Sequence, residues 1–162
     1  MPGIRIDLPE KFIFETEIPV RITDLNYVGH LGNDSFLSII HDARARFLRK
    51  YGYTELDVEG VGTIVNNAVI LYKSQLFYGD TIIIKVALKN PGHMSCDFIY
   101  LLLDKKTGKE AARAQTGFVF MDYKSGNLMD MPAQFRALFD LWLKTDLNAF
   151  LIPPYLKGAR GL

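Results

Sequence analysis

From about Asn33 to Tyr51 the chain sets Phe36, Ile40, Ala43, Phe47 and Tyr51 three or four residues apart, and Leu37, Ile39 and Leu48 widen the same stripe. That period belongs to an α-helix, and an apolar stripe this broad has to be covered by other parts of the chain. Arg44, Arg46, Arg49 and Lys50 gather toward its C-terminal half, where positive charge complements the helix dipole. Gly52 supplies a C′ stop, and Asn33 or Asp34 an N-cap. A helix of about five turns with such a face constrains the fold: the rest of the chain must build a surface around it.

The flanking segments read as strands. Phe12 to Thr23 alternates and is rich in β-branched residues, with Pro19 fit only for an edge or a bulge. Ile64 to Phe77 is one long strand, with room for a bulge. After "YGD" (Tyr78 to Asp80), Thr81 to Leu88 puts Ile82, Ile84, Val86 and Leu88 on one face. "NPGH" (Asn90 to His93) turns the chain again, and Ser95 to Leu103 is apolar on both faces, as for a strand packed on one side and shielded on the other. "DKKTGK" is a hairpin turn and Ala111 to Tyr123 the last strand. Pro132 opens a short helix, "PAQFRALFDLWL", and the tail after Thr145 is irregular. The order is strand, long buried helix, four antiparallel strands, short helix. It predicts an α+β domain in which an antiparallel sheet wraps around a central helix.

At 162 residues the chain makes a single domain, with a core over about 12–142 and a tail over 143–162. A formal charge of +1 gives no basic bias, so a nucleic-acid partner has no support. The N-terminal stretch lacks the apolar core of a secretory signal, and no apolar run is long enough for a membrane partner. The single cysteine, Cys96, excludes an internal disulfide framework and fits a cytoplasmic setting. It falls mid-strand beside no base and reads as core. The three histidines lack paired metal-ligand spacing, so no metal is predicted, and no Gly-x-Ser-x-Gly elbow is present. His41 and Asp42 need no role beyond the helix pattern.

Taken in order, these stretches resemble the hotdog-fold thioesterases of the 4-hydroxybenzoyl-CoA thioesterase type. That family shows a strand ending in Asp-x-Asp, a Gly-His-x-x-Asn segment, then a helix carrying an Ala-Arg pair; the matching stretch here is "TDLNYVGHLGNDSFLSIIHDARARFL". "YKSQLFYGDTIIIKV", "GKEAARAQTGFVFMD" and "GNLMDMPAQFRALF" resemble its later strands, turn and closing helix, and the likeness spans roughly Phe14 to Phe139. The resemblance implies a hotdog fold and hydrolysis of acyl thioesters, with an acyl-CoA or acyl-carrier thioester as substrate and no separate cofactor. It also implies a homodimer or homotetramer with sites at subunit interfaces.

Thioester hydrolysis needs an activated water or nucleophile and a donor for the oxyanion. By the resemblance the donor is the backbone amide of about Asn33 at the helix start, where free N–H groups gather, and Gly32 lets the acyl group approach. The family's carboxylate is the second acid of Asp-x-Asp. Here Asp24 keeps the first acid, but Asn26 stands at the second, and a carboxamide cannot act as a base. Asp34 in the first helical turn is the leading replacement, and an acid there also simply favours the helix. Asp24 is the second candidate. His30 orients a water, pairs with Asp34, touches the acyl group or only holds the loop. Lys73 suits CoA phosphates, Phe36 an acyl pocket, and the "GHMS" turn with His93 and Ser95 a pantetheine channel from a neighbouring subunit. Two other readings fit the same residues: a non-catalytic acyl-CoA or acyl-carrier binding module, and an enoyl-CoA hydratase built on Asp24, Asn26 and His30.

Overall fold

The structure, a computed structural model, describes residues 3–144; the irregular tail expected beyond Thr145 lies outside the described residues. Six strands form one antiparallel sheet: β1 (Phe14–Pro19), β2 (Gly62–Tyr72), β3 (Thr81–Lys89), β4 (Ser95–Asp104), β5 (Glu110–Asp122) and the two-residue β6 (Asn127–Leu128). The order across the sheet is β1-β3-β4-β5-β2, with β6 on β5. Helix α1 (Asn33–Lys50) lies against one face and α2 (Ala133–Lys144) follows the last strand.

Alternation decides which side chains meet α1. Ile82, Ile84, Val86 and Leu88 of β3 join Phe98, Tyr100 and Leu102 of β4 in the cluster that buries Phe36, Ile39, Ile40, Ala43, Phe47 and Leu48 of α1. Large side chains on β4 pair with small ones on β5, Tyr100 beside Ala114 and Leu102 beside Ala112. Rings carry the core from end to end. Phe47 meets Phe98 edge-on at 5.3 Å, Phe98 meets Phe118 at 4.9 Å, and Phe118 stacks over Phe135 of α2 at 6.3 Å. The outer face has its own cover: Ile6 packs on Ala87 and Ile99, flanked by Leu8, Phe12, Val69 and Leu71. This N-terminal strap, held by Arg113 donating to the Ile6 carbonyl at 3.0 Å, explains why β4 is apolar on both faces.

The expected helix end is found. Gly52 has φ +79°, its N–H bonds to the Arg49 carbonyl at 3.0 Å, and the Tyr53 N–H bonds to the Leu48 carbonyl at 2.9 Å. This pairing is a Schellman motif, which only a residue tolerating the left-handed region closes cheaply. Three expectations need correction. The N-cap is Gly32, not Asn33 or Asp34, and no side chain caps the helix. The first strand is shorter than Phe12 to Thr23. Pro19 ends it on the sheet edge, and Arg21 and Asp24 then lock a 3-10 turn over Ile22–Asp24. The second strand stops at Tyr72 rather than Phe77. The N–H groups of Lys73 and Ser74 both turn to the Ala111 carbonyl, and the chain leaves the sheet to meet Leu31 through the Leu76 carbonyl. The bulge in β2 lies between Val65 and Asn67.

Candidate active site

The loop between the 3-10 turn and α1 is a small hairpin. Leu25 bridges Leu31, and His30 bridges Phe77 on the segment after β2. Asn26 organises it. Its Oδ1 accepts from the Val28 N–H at 3.0 Å and the His30 N–H at 3.4 Å, while its Nδ2 lies 3.2 Å from His30 Nδ1. His30 Nδ1 also lies 3.3 Å from the Leu31 carbonyl, so it accepts from the Asn26 carboxamide in one tautomer and donates to Leu31 in the other. The polar atoms of Asn26 are engaged in holding this loop.

Asp24 is buried and spoken for. Arg21 Nη2 donates to Oδ1 at 2.9 Å, and Arg21 Nε and its backbone N–H donate to Oδ2 at 3.2 and 2.8 Å. The hydrogen bonds and charge of Arg21 outweigh burial and hold the carboxyl below its usual range. Asp24 closes the 3-10 turn; the free acid beside His30 that a hydratase arrangement needs is absent from that position.

Asp34 is different. It is exposed in the first turn of α1, and no hydrogen bond or ion pair reaches its carboxylate among the described residues. The first helical bond runs from the Phe36 N–H to the Gly32 carbonyl at 3.2 Å, so the N–H groups of Asn33, Asp34 and Ser35 have no acceptor among the described residues. The carboxylate leans back over Gly32. A Cβ placed on Gly32 would stand 2.5 Å from Asp34 Oδ1 and 3.6 Å from Asn26 Cβ, so the missing side chain is what lets these groups converge.

Two depressions flank this point. One, of about 290 Å³, is lined by Asn26, His30, Asn33, Phe36, Tyr72 and Lys73, with Ser74 and Gln75 at its edge. The other, of about 320 Å³, is lined by Asp34, Leu37, Ser38, His41, Arg44 and Val65. The fold thus gathers Asn26, His30, Asn33, Phe36 and Lys73 around one cavity and sets Asp34 on the ridge beside it. His93 lines a third depression with Gly92, Asp130, Met131 and Arg136, at the end of the sheet where α2 docks, and Ser95 closes the turn there. Within one chain these two residues do not meet Asn33 or Asp34. Tyr72, Ser74 and Gln75 had no assigned role in the sequence, because reading Ile64 to Phe77 as one strand hid the departure of the chain at Tyr72. Cys96 is buried, and burial pushes its thiol far up, which excludes it as a nucleophile. Among the described residues no three His, Cys, Asp or Glu groups cluster as a metal would require, and no helix is long and apolar enough to cross a membrane.

A sheet wrapped around one helix, with an open helix N-terminus beside an uncommitted carboxylate, is a hotdog fold with the parts of a hydrolase. The chain belongs to the thioesterase-like superfamily, whose pattern matches residues 20–139. Its enzyme class is that of the thioester hydrolases. A protein of Aquifex aeolicus (strain VF5), named provisionally as an esterase, is 26% identical over 125 residues, covering 76% of this chain and 93% of its own. A thioesterase of Thermus thermophilus, solved with coenzyme A and zinc, is 25% identical with a TM-score of 0.68, over 78% of this chain and 96% of that one. The 1,4-dihydroxy-2-naphthoyl-CoA thioesterase of Synechocystis shares the fold at 18% identity and a TM-score of 0.70, over 76% and 93% of the two chains.

Proposed function

We propose that this enzyme hydrolyses acyl-CoA thioesters, with Asp34 as general base and the first-turn amides of α1 as the oxyanion site. One observation carries the reading: an unengaged carboxylate stands beside three unengaged N–H groups, on a ridge between two depressions. The carbonyl oxygen takes the amide of Asn33, with those of Asp34 and Ser35 close by. Asp34 draws a proton from water, whose oxygen attacks the carbonyl carbon. Collapse of the tetrahedral intermediate breaks the C–S bond, and the departing thiolate recovers the proton. One depression then takes the acyl group and the other the pantetheine arm, with Lys73 placed for phosphate. Asn26 and His30 hold the loop; Phe36 gives the cavity an apolar floor. The fit of the Thermus relative to coenzyme A supports CoA as the leaving group.

Both β1 and β2 are sheet edges, and Asn66, Asn67 and Ala68 on β2 are exposed. A second copy paired along β2 covers that edge and brings its own loops, including His93 and Ser95, toward a shared site. Light scattering at twice the 18.4 kDa chain mass or more supports this assembly.

The test is thiol release from short, long, branched and aromatic acyl-CoAs, and from the same acyl groups on a carrier protein. Loss of general-base catalysis is worth about 10²–10⁴-fold, so Asp34→Ala should cut kcat by that factor while unfolding as the native protein does. Unchanged turnover removes Asp34 from the mechanism. Binding of the esters with no thiol release across the panel replaces the enzyme reading with a binding module.

A further inference from the structure

The hydroxyl of Tyr72, at the last position of β2, donates to the backbone carbonyl of Asn33 across 3.0 Å. That carbonyl belongs to the peptide whose N–H is Asp34's own. Added to the helix's own bond at the same carbonyl, this contact braces the plane of the Asn33–Asp34 peptide from outside the helix, and with it the direction of one of the free amides and the root of the carboxylate. The ring is fixed too: it meets Phe36 edge-on at 5.1 Å and lines the cavity with Asn33. Partial burial, then the nearby Asp34 charge, raise the hydroxyl above its ordinary range, so it stays a donor through any neutral working pH. No side chain caps this helix start; backbone bonds hold the cap, from the Gly32 N–H to the Asp24 carbonyl at 2.9 Å and from the Phe36 N–H to the Gly32 carbonyl at 3.2 Å.

We infer that Tyr72 is a positioning residue of the hydrolase, clamping the first-turn peptide of α1 so that the amides and Asp34 face the reacting carbonyl. It does not touch the carbonyl itself. The inference rests on the catalytic reading given above and adds a residue that reading does not use.

The experiment compares wild type with Tyr72→Phe, which keeps the ring and loses the clamp, and with Tyr72→Leu, which loses both. Two measurements are made on each: amide hydrogen exchange at Phe36 and Leu37, the first hydrogen-bonded amides of the helix, and steady-state thioester hydrolysis. Tyr72→Phe should exchange faster at these amides and lose roughly ten-fold in kcat, with KM within two-fold of wild type, because the loss falls on the transition state. Tyr72→Leu should add a rise in KM from the lost cavity wall. Faster exchange with unchanged kcat leaves a merely structural tyrosine and overturns the inference, as does an equal change in KM and kcat in Tyr72→Phe. Unchanged exchange overturns the clamp itself. A wild type that hydrolyses no thioester sinks the catalytic reading and the positioning role with it, while the exchange data still decide whether the clamp exists.

Discussion

Gly32→Ala separates the site from the fold. At Gly32 φ is −67° and ψ 147°, a conformation any residue adopts, so the backbone resists nothing. Alanine is a poorer N-cap than glycine by about 1 kcal/mol, while the smaller unfolded-state entropy returns about 0.4–1 kcal/mol. Stability should therefore move by less than about 1 kcal/mol in either direction. Activity is another matter. The new methyl would begin 2.5 Å from Asp34 Oδ1, its nearest neighbour, with the Asp24 carbonyl next at 3.5 Å. The carboxylate must swing aside to beyond 3.0 Å, and its far end is the only part free to give. Misplacing a reacting group by about 1 Å costs on the order of 10²-fold, so kcat should fall about ten- to hundred-fold. Urea denaturation and thiol-release kinetics read the two quantities on the same preparations. The double variant Gly32→Ala/Asp34→Ala should be no slower than Asp34→Ala, because both changes act on one carboxylate. Full activity in Gly32→Ala, or additive losses in the double variant, refutes the reasoning.

Three predictions concern the core. Arg44 is buried on α1 and bonds through Nε to Glu55 Oε1 at 2.9 Å, while His41 Nε2 holds the other oxygen at 2.8 Å. Glu55→Gln keeps an acceptor but removes the counter-charge of the buried guanidinium, whose other contact is Tyr100 at 3.5 Å, and should cost about 2–3 kcal/mol in urea, against less than about 1 for Asp42→Asn in the exposed Arg46 pair. Burial raises the Glu55 carboxyl, but the hydrogen bonds and charges of His41 and Arg44 overcome it, leaving the group below its ordinary 4.5. Its stabilisation is accordingly complete above pH 4.5 and disappears as pH falls through the lower folded value; the acid limb of the stability curve should be flatter in Glu55→Gln. Cys96, the one cysteine, is 2% exposed, so a thiol reagent should find no group in the native protein and one in denaturant, leaving a flat baseline for the hydrolysis assay.

Local pattern carried much of this molecule. The 3.6-residue spacing of Phe36, Ile40, Ala43 and Phe47 fixed α1 and the face it buries, and Gly52 marked its end. The two-residue alternation of Ile82, Ile84, Val86 and Leu88 fixed the face β3 turns to the helix. Such periods are properties of neighbours along the chain, and no partner is needed to read them. The ordered motifs from Phe14 to Phe139 likewise pointed to the family that the matched residues 20–139 show.

What the chain alone left open were distances between segments far apart in sequence. A second strand ending at Tyr72 rather than Phe77 was invisible, because Lys73 and Ser74 leave the sheet only to satisfy the Ala111 carbonyl across it. Asp24 and Asn26 after the first strand and Asp34 in the first helical turn were competing candidates until their partners appeared. Arg21 occupies the first, His30 and the loop amides occupy the second, and among the described residues nothing occupies the third. A sequence states which donors and acceptors exist. Only the tertiary structure decides which are already spent on one another, because a hydrogen bond is settled within about 3 Å, and the chain reaches those separations only by folding.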